Sequence, residues 1–331
     1  MSINLINPEG LKRFFKDRNY NCFKPYHIVN NDDTVFISAG IQPLLKDYKN
    51  NLINDSSLIC VFQPVIRTQY LNSIGEGSSI AFTNITTAAF NNSEERYMQM
   101  VKNWYELLFE LGMSKTDITS CNDRFYTSWG NVELEGKRTF HYYKDIEIGD
   151  TTYFTRIRAK DNSFKLDSMS DLGFGLERLR WKTTNKSYYD LYSDSSNLNT
   201  KLKAYLSALA LLAVNNVKPS NKNSGYRFRL LSKKLVELLS GKNLTEDEMK
   251  YLNESIMYWN NWQENVNMSS DTLIKNEYTR NANRYILDLL TKEGYDNLSK
   301  ININISRNDL IKRLISSGVD KKKIKMIERL L

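Results

Sequence analysis

The sequence predicts an α+β fold in its first part and an all-α fold in its second. Two observations carry this. Runs with the two-residue period of half-buried strands occur only before about residue 160, and after about residue 195 every apolar pattern has helical spacing. A third feature divides them: a polar joint, TTNKSYYDLYSDSSNLNT, over 183–200. The expected domains are therefore 1–195 and 196–331.

Element by element, PEGLKRFFKDRNY (8–20) reads as an amphipathic helix opened by Pro. TVFISAGI (34–41) reads as a strand entering a glycine turn, and LICVFQPVIRT (58–68) as a strand whose Pro64 marks an edge or bulge. SSIAFTNITTAAF (78–90) is a further strand. QYLNSIGEG, between the last two, is a hairpin loop. Residues 94–112 form a long helix, acidic in its first turn and closed by Gly. Further strands fall at 139–149 and 151–158. Beyond 195 the helices are LKAYLSALALLAV, FRLLSKKLVELLSG, LTEDEMKYLNESIMYW, EYTRNANRYILDLLTKEG and SRNDLIKRLISSG. Two of them open with the capping pairs Thr245–Glu248 and Ser306–Asp309. The tail KKKIKMIERLL reads as a basic amphipathic helix.

With 331 residues, 41% hydrophobic and 25% charged, the chain has ordinary globular composition and room for two cores. No apolar run reaches the roughly 18 residues of a membrane span, so no membrane association is expected. MSINLINPEGLKRFF lacks the basic-then-apolar pattern of a secretory signal. Three scattered cysteines fit a reducing cytoplasm, and two histidines distant from them speak against zinc. Residues 1–181 hold 21 Lys+Arg against 22 Asp+Glu, whereas residues 182–331 hold 25 against 16. The excess in the second half reads as a surface for a polyanion or as a solvated basic face.

Chemistry concentrates in a few stretches. Arg67 ends a β run before a polar loop, at a strand tip. Arg178 closes Asp171-Leu172-Gly173-Phe174-Gly175-Leu176-Glu177-Arg178, where glycines permit close approach of backbone or ligand. Taken alone, Arg67 reads as a surface arginine and Arg178 as a paired helix arginine. Brought together, two permanently charged planar forks suit a polyphosphate.

FISAGIQPLLKDY (36–48), QPVIRTQYLNSIGEG (63–77) and DLGFGLERL (171–179) occur in order and resemble the three signature motifs of the class II aminoacyl-tRNA synthetases. The alanyl-tRNA synthetase family matches best: its "D-T-G-M-G-L-E-R" aligns with Asp171–Arg178. A fourth match, VKPSNKNSGYRFRLLSKK (217–234), resembles that family's acceptor-stem segment and carries Lys218, Lys222, Arg227, Arg229, Lys233 and Lys234 without an acid.

The resemblance implies a six-stranded antiparallel sheet flanked by helices, binding ATP, Mg²⁺ and an amino acid, followed by an all-α tRNA-binding domain. It implies adenylate formation in which Arg67 holds the α-phosphate and carboxylate, and Arg178 the γ-phosphate. Phe82, Asn84 and Glu177 fall to the ATP site. Asp171 falls to the substrate ammonium, with Gly173 and Gly149 beside it, and Glu147 and Asp150 to Mg²⁺. Lys218, Asn221, Lys222, Arg227, Arg229 and Lys233 fall to tRNA.

The family's "E-I-W-N" strand stands here as Glu147-Ile148-Gly149-Asp150, removing a Trp wall and favouring a larger or more polar amino acid than alanine. Editing and C-terminal oligomerisation segments have no counterpart, and monomer and oligomer both remain open. The expected function is amino-acid activation with transfer to tRNA. Two alternatives stand beside it: delivery of the adenylate to a carrier protein or small molecule, and a non-catalytic RNA-binding paralogue.

Overall fold

The computed structural model describes residues 8–30, 34–75, 77–184, 186–191, 197–263 and 270–329. It divides into two compact units, Met1–Leu191 with Asn261–Glu264, and Tyr192–Asn260 with Asn265–Leu331. The boundary expected at 195/196 lies outside the described residues.

In the first unit the order is α1 (Pro8–Lys16), β1 (Asn21–Phe23), α2 (Ile41–Lys49), β2 (Ile59–Ile66), β3 (Ala81–Phe90), α3 (Glu94–Glu110), β4 (Ile118–Trp129), β5 (Val132–Tyr143), β6 (Ile146–Ala159), β7 (Lys165–Leu166), β8 (Met169–Gly175) and α4 (Leu176–Thr183). The strands form one sheet ordered β1-β2-β3-β8-β6-β5-β4, with β7 on β6. The six long strands are antiparallel throughout. The short β1 pairs parallel to β2, and β7 adds two residues, so the sheet has eight strands and not the expected six.

Three sequence expectations shift. The segment 34–41 makes a single antiparallel bridge, Val29–Phe36, and no strand. Gly40 is drawn instead onto the sheet, its N–H donating to Asn84 Oδ1 at 3.0 Å. Any side chain there would collide with Thr86, 2.5 Å from the position of a Cβ. The strands expected at 139–149 and 151–158 are β5 and β6, a hairpin that turns at Lys144 and Asp145. Both turn residues have positive φ, +48° and +65°, as a tight hairpin turn demands. β4 is polar and exposed along most of its length, so no apolar alternation announced it. The edge role of Pro64 holds: β1 covers only Ile59–Val61, so β2 has β3 as its one strand neighbour from Phe62 onward.

Alternation gives the sheet two different faces. On one, α3 is seated by its acidic first turn and its Ser93 cap, whose side chain accepts from Arg96 N. Trp104 of α3 stacks on Phe174 at 4.0 Å between ring centroids, and its indole donates to Thr87 Oγ1 at 2.8 Å. Tyr97 donates to Thr151 Oγ1, which also bonds His141. On the other face, one end is a core of Ile41, Leu44, Ile59, Val61, Phe90, Phe154 and Met169. The other end of that face is open.

The second unit holds α5 (Thr200–Val214), α6 (Asn223–Leu238), α7 (Glu246–Gln263, whose last residues belong to the first unit), α8 (Ser270–Lys292), α9 (Arg307–Ser316) and α10 (Lys321–Glu328). α5 is apolar nearly all round and is buried from Leu202 to Val214. The Thr245–Glu248 capping box closes in both directions: Thr245 N–H donates to Glu248 Oε2 at 2.7 Å, and Glu248 N–H to Thr245 Oγ1 at 3.3 Å. Asp309 N–H donates to Ser306 Oγ at 3.1 Å. The basic tail helix α10 buries Ile324 and Ile327 in a cluster with Leu298, Leu310 and Leu314.

Candidate active site

The open end of the sheet is a cavity of about 300 Å³ lined by both expected arginines, Arg67 and Arg178. β3 supplies Phe82 and Asn84, β6 supplies Glu147, Gly149 and Asp150, and β8 supplies Gly173 and Gly175. Eight of the sequence-selected residues therefore meet at one place. Asp171 and Glu177 are not among its lining residues.

Register explains the convergence. Asn84 lies opposite Gly175, Thr86 opposite Gly173, and Gly173 opposite Asp150, so these side chains share one face. Because β8 carries glycine at 173 and 175, its strip of that face is bare backbone. A Cβ at Gly173 would sit 3.2 Å from Asn84 Nδ2. Asn84 Oδ1 is held by the Gly40 N–H and by Thr86 Oγ1 at 2.7 Å.

Arg67 is held at the cavity edge by the Ser38 carbonyl, which accepts from Nε at 3.1 Å and from Nη2 at 2.8 Å. Its guanidinium lies 4.8 Å from the centre of the Phe82 ring. Arg178 reaches across the stem space left by Gly175. Its Nε donates to the Gly77 carbonyl at 2.8 Å and its Nη1 to Glu147 Oε1 at 2.9 Å. Gly77, Ser78, Ser79 and Tyr188 also line the cavity and were not singled out from sequence. The GEGSS run (75–79) was the signal for the first three, and Tyr188 stands in the polar joint of 183–200. Gly77 has φ +75° and abuts Trp181, so the turn and the ring both demand glycine.

Gly149 corrects the expectation that a lost Trp opens a wall. A Cβ there would lie 2.5 Å from the Gly173 carbonyl and 2.6 Å from the Phe174 ring. Ile148 is an extra residue where the β5–β6 register shifts, and that irregularity turns position 149 against β8. No side chain fits, so the glycine reflects close strand packing and not an enlarged pocket.

Glu177 is fully buried and its two oxygens accept the Thr83 N–H at 3.0 and 2.8 Å. β8 stops pairing with β3 at Gly175–Asn84, and the carboxylate takes the next N–H of β3 in place of a strand carbonyl. It orders the strand bearing Phe82 and Asn84.

Asp171, opposite Thr152, is a diagonal neighbour of Asp150 on the same face. Burial, and next the nearby Asp150, holds its carboxyl well above the usual range. Burial raises Asp150 to about 6; Arg138 and Arg67 oppose this and Glu147 adds to it. Acids with raised folded pKa values bind more protons folded than unfolded. Their stabilising contribution is full below the unfolded value near 4 and is lost as pH rises through the folded value. Asp150→Asn is therefore expected to gain stability relative to wild type as pH rises from 4 to 7. Urea midpoints compared across that range test this; a difference that stays constant with pH would refute it.

No group of three or more His, Cys, Asp or Glu poised for a metal occurs among the described residues. Glu147 and Asp150 provide two hard-oxygen donors on one cavity wall. That fits Mg²⁺, which is held by one or two carboxylates plus phosphates and water.

The fourth motif forms the start of α6 and the loop before it. Lys218, Asn221 and Lys222 are exposed, and Arg227 is half-buried. The loop clasps the helix at Gly225, where a Cβ would lie 2.3 Å from Ser220 Oγ and 2.5 Å from the Lys218 carbonyl. The strip is less basic than its sequence suggested. Glu277 of α8 pairs with Arg229 at 3.6 Å, and Arg229 Nη1 also donates to Asn221. Glu237 pairs with Lys233 and Lys234.

No family model matches the chain, and no curated protein matches it. Among solved structures it is similar to the pyrrolysyl-tRNA synthetase PylSc of Desulfitobacterium hafniense. The TM-score is 0.37 and the identity 15%, covering 53% of this chain and 64% of that one. The chain thus spans less than two thirds of that structure, and a likeness of this degree carries no argument about activity.

Proposed function

We propose that the chain is an adenylate-forming enzyme of the class II aminoacyl-tRNA synthetase type. Within that class its motifs favour an alanyl-like member. The supporting observation is the meeting of Arg67 and Arg178, distant in sequence, at one cavity, with Phe82 of β3 against the Arg67 guanidinium.

In this reading a substrate carboxylate oxygen attacks the α-phosphorus of ATP. The new C(O)–O–P bond forms as the bond to the β-phosphate oxygen breaks, and pyrophosphate leaves with the electron pair. No protein nucleophile or proton transfer is required, so the protein contributes position and charge. Arg67 offsets charge at the α-phosphate, the Phe82 ring stacks on adenine, and Arg178 holds the γ-phosphate. Asp171 receives the α-ammonium. Glu147 and Asp150, both lining the cavity, would hold a Mg²⁺ ion. When bound, the ion would neutralise triphosphate charge.

Lys218, Asn221, Lys222 and Arg227 support a tRNA acceptor. A second reading, delivery to a carrier protein or small molecule, is favoured by the acids that neutralise Arg229 and Lys233. ATP–pyrophosphate exchange across the common amino acids tests the activation step. Exchange with at least one amino acid, lost on chelation of Mg²⁺, is expected; no exchange with any would overturn the proposal in favour of a non-catalytic paralogue. Exchange without charging of total tRNA would select the second reading.

A further inference from the structure

We propose that the amino-acid end of this site is built for a substrate with a second cationic group, an α,ω-diamino acid, recognised by Asp150 while Asp171 takes the α-ammonium. This rests on the activation reading above and adds the substrate class.

A neutral amino acid brings one ammonium to the site, and one carboxylate answers it. This face of the sheet carries two: Asp150, which lines the cavity opposite Gly173, and Asp171, two residues before Gly173 on β8 and just beyond the cavity lining. Diagonal neighbours of this kind have Cα atoms roughly 7–8 Å apart, which suits two ammonium groups separated by a short carbon chain.

Neither carboxylate is in an ion pair among the described residues, although Arg138 and Arg67 lie near Asp150. Thr152 Oγ1 donates to Asp150 Oδ2 at 3.4 Å. The nearby cations are directed elsewhere. Arg138 donates to Asp123 at 3.3 Å and packs over Phe125 and Phe140, while Arg67 donates to the Ser38 carbonyl. Two neighbouring carboxylates held without partners repel each other, and a ligand supplying two positive charges relieves both.

The two expected Mg²⁺ ligands also separate by position. Glu147 is paired with Arg178 at 2.9 Å, at the phosphate end. Asp150 is across from Gly173 and next to Asp171, at the amino-acid end.

The test pairs amino acids of equal carbon chain with and without the terminal ammonium: lysine against norleucine, and ornithine against norvaline. ATP–pyrophosphate exchange is expected to favour the diamino member of at least one pair by roughly 100-fold in kcat/KM, the scale of one desolvated charge pair. Asp150→Asn should abolish that preference, bringing kcat/KM for the diamino acid down to that of its uncharged counterpart measured in the same variant. Exchange with neutral amino acids and no diamino preference would overturn this proposal while the activation reading stands. So would a preference that survives Asp150→Asn. If no amino acid supports exchange, activation fails as a separate matter, and calorimetry of lysine and norleucine with wild type and Asp150→Asn decides this inference. Lysine binding lost in the variant sustains it; absence of lysine binding overturns it.

Discussion

Arg178→Ala is expected to reduce ATP–pyrophosphate exchange by at least about 10³-fold, the range seen when a phosphate-clamping arginine is removed. Its fork is already set for a ligand, with Nε fixed on the Gly77 carbonyl and Nη1 on Glu147. The fold should persist. The side chains of Arg178 and Glu147 are 30% and 41% exposed, and pairs at that exposure contribute about 0–1 kcal/mol. The melting temperature should therefore move by no more than about 4 °C. Arg178→Lys keeps the charge but cannot reach both partners at once, and it should recover under about a tenth of the lost activity. Exchange near the wild-type rate in Arg178→Ala would remove the residue from the site.

Glu177→Ala, one position earlier, is expected to do the opposite. The alanine leaves the Thr83 N–H buried without its carboxylate and creates a void at the start of α4. Loss of a buried, charge-assisted bond together with that void should cost about 3–5 kcal/mol, read as a lowered urea midpoint. Glu177→Gln retains one acceptor oxygen and should cost about half as much. Exchange per folded molecule should fall less than about 10-fold in both. An unchanged midpoint with exchange abolished would make Glu177 a ligand contact, and the ladder-ending role assigned to it would be wrong.

The contrast between these neighbours shows what a motif conceals. In DLGFGLERL, Glu177 and Arg178 are equally polar and equally near the glycines. The helical turn that begins at Leu176 sends one side chain under β3 and the other over the cavity. Likewise Gly149 and Gly173 both read as open space in the sequence. In the fold, a Cβ at 149 would strike backbone and ring, while at 173 it would approach only an amide. Arg229 and Lys233 read as free basic groups until Glu277, from another helix, and Glu237, three or four residues on, supply acids.

The sequence by itself determined the α+β to all-α order, the main helices and their caps, and most of the long antiparallel strands. Those features follow from local periodicity, capping chemistry and residue type, which act over a few positions. The polar edge strand β4, the turn at Lys144–Asp145, the burial of Glu177, the packing reason for Gly149 and the pairing of Asp150 with Asp171 were decided by tertiary structure alone. Each depends on which residue lies opposite across a strand or helix contact, and cross-strand register brings together positions that no local pattern relates.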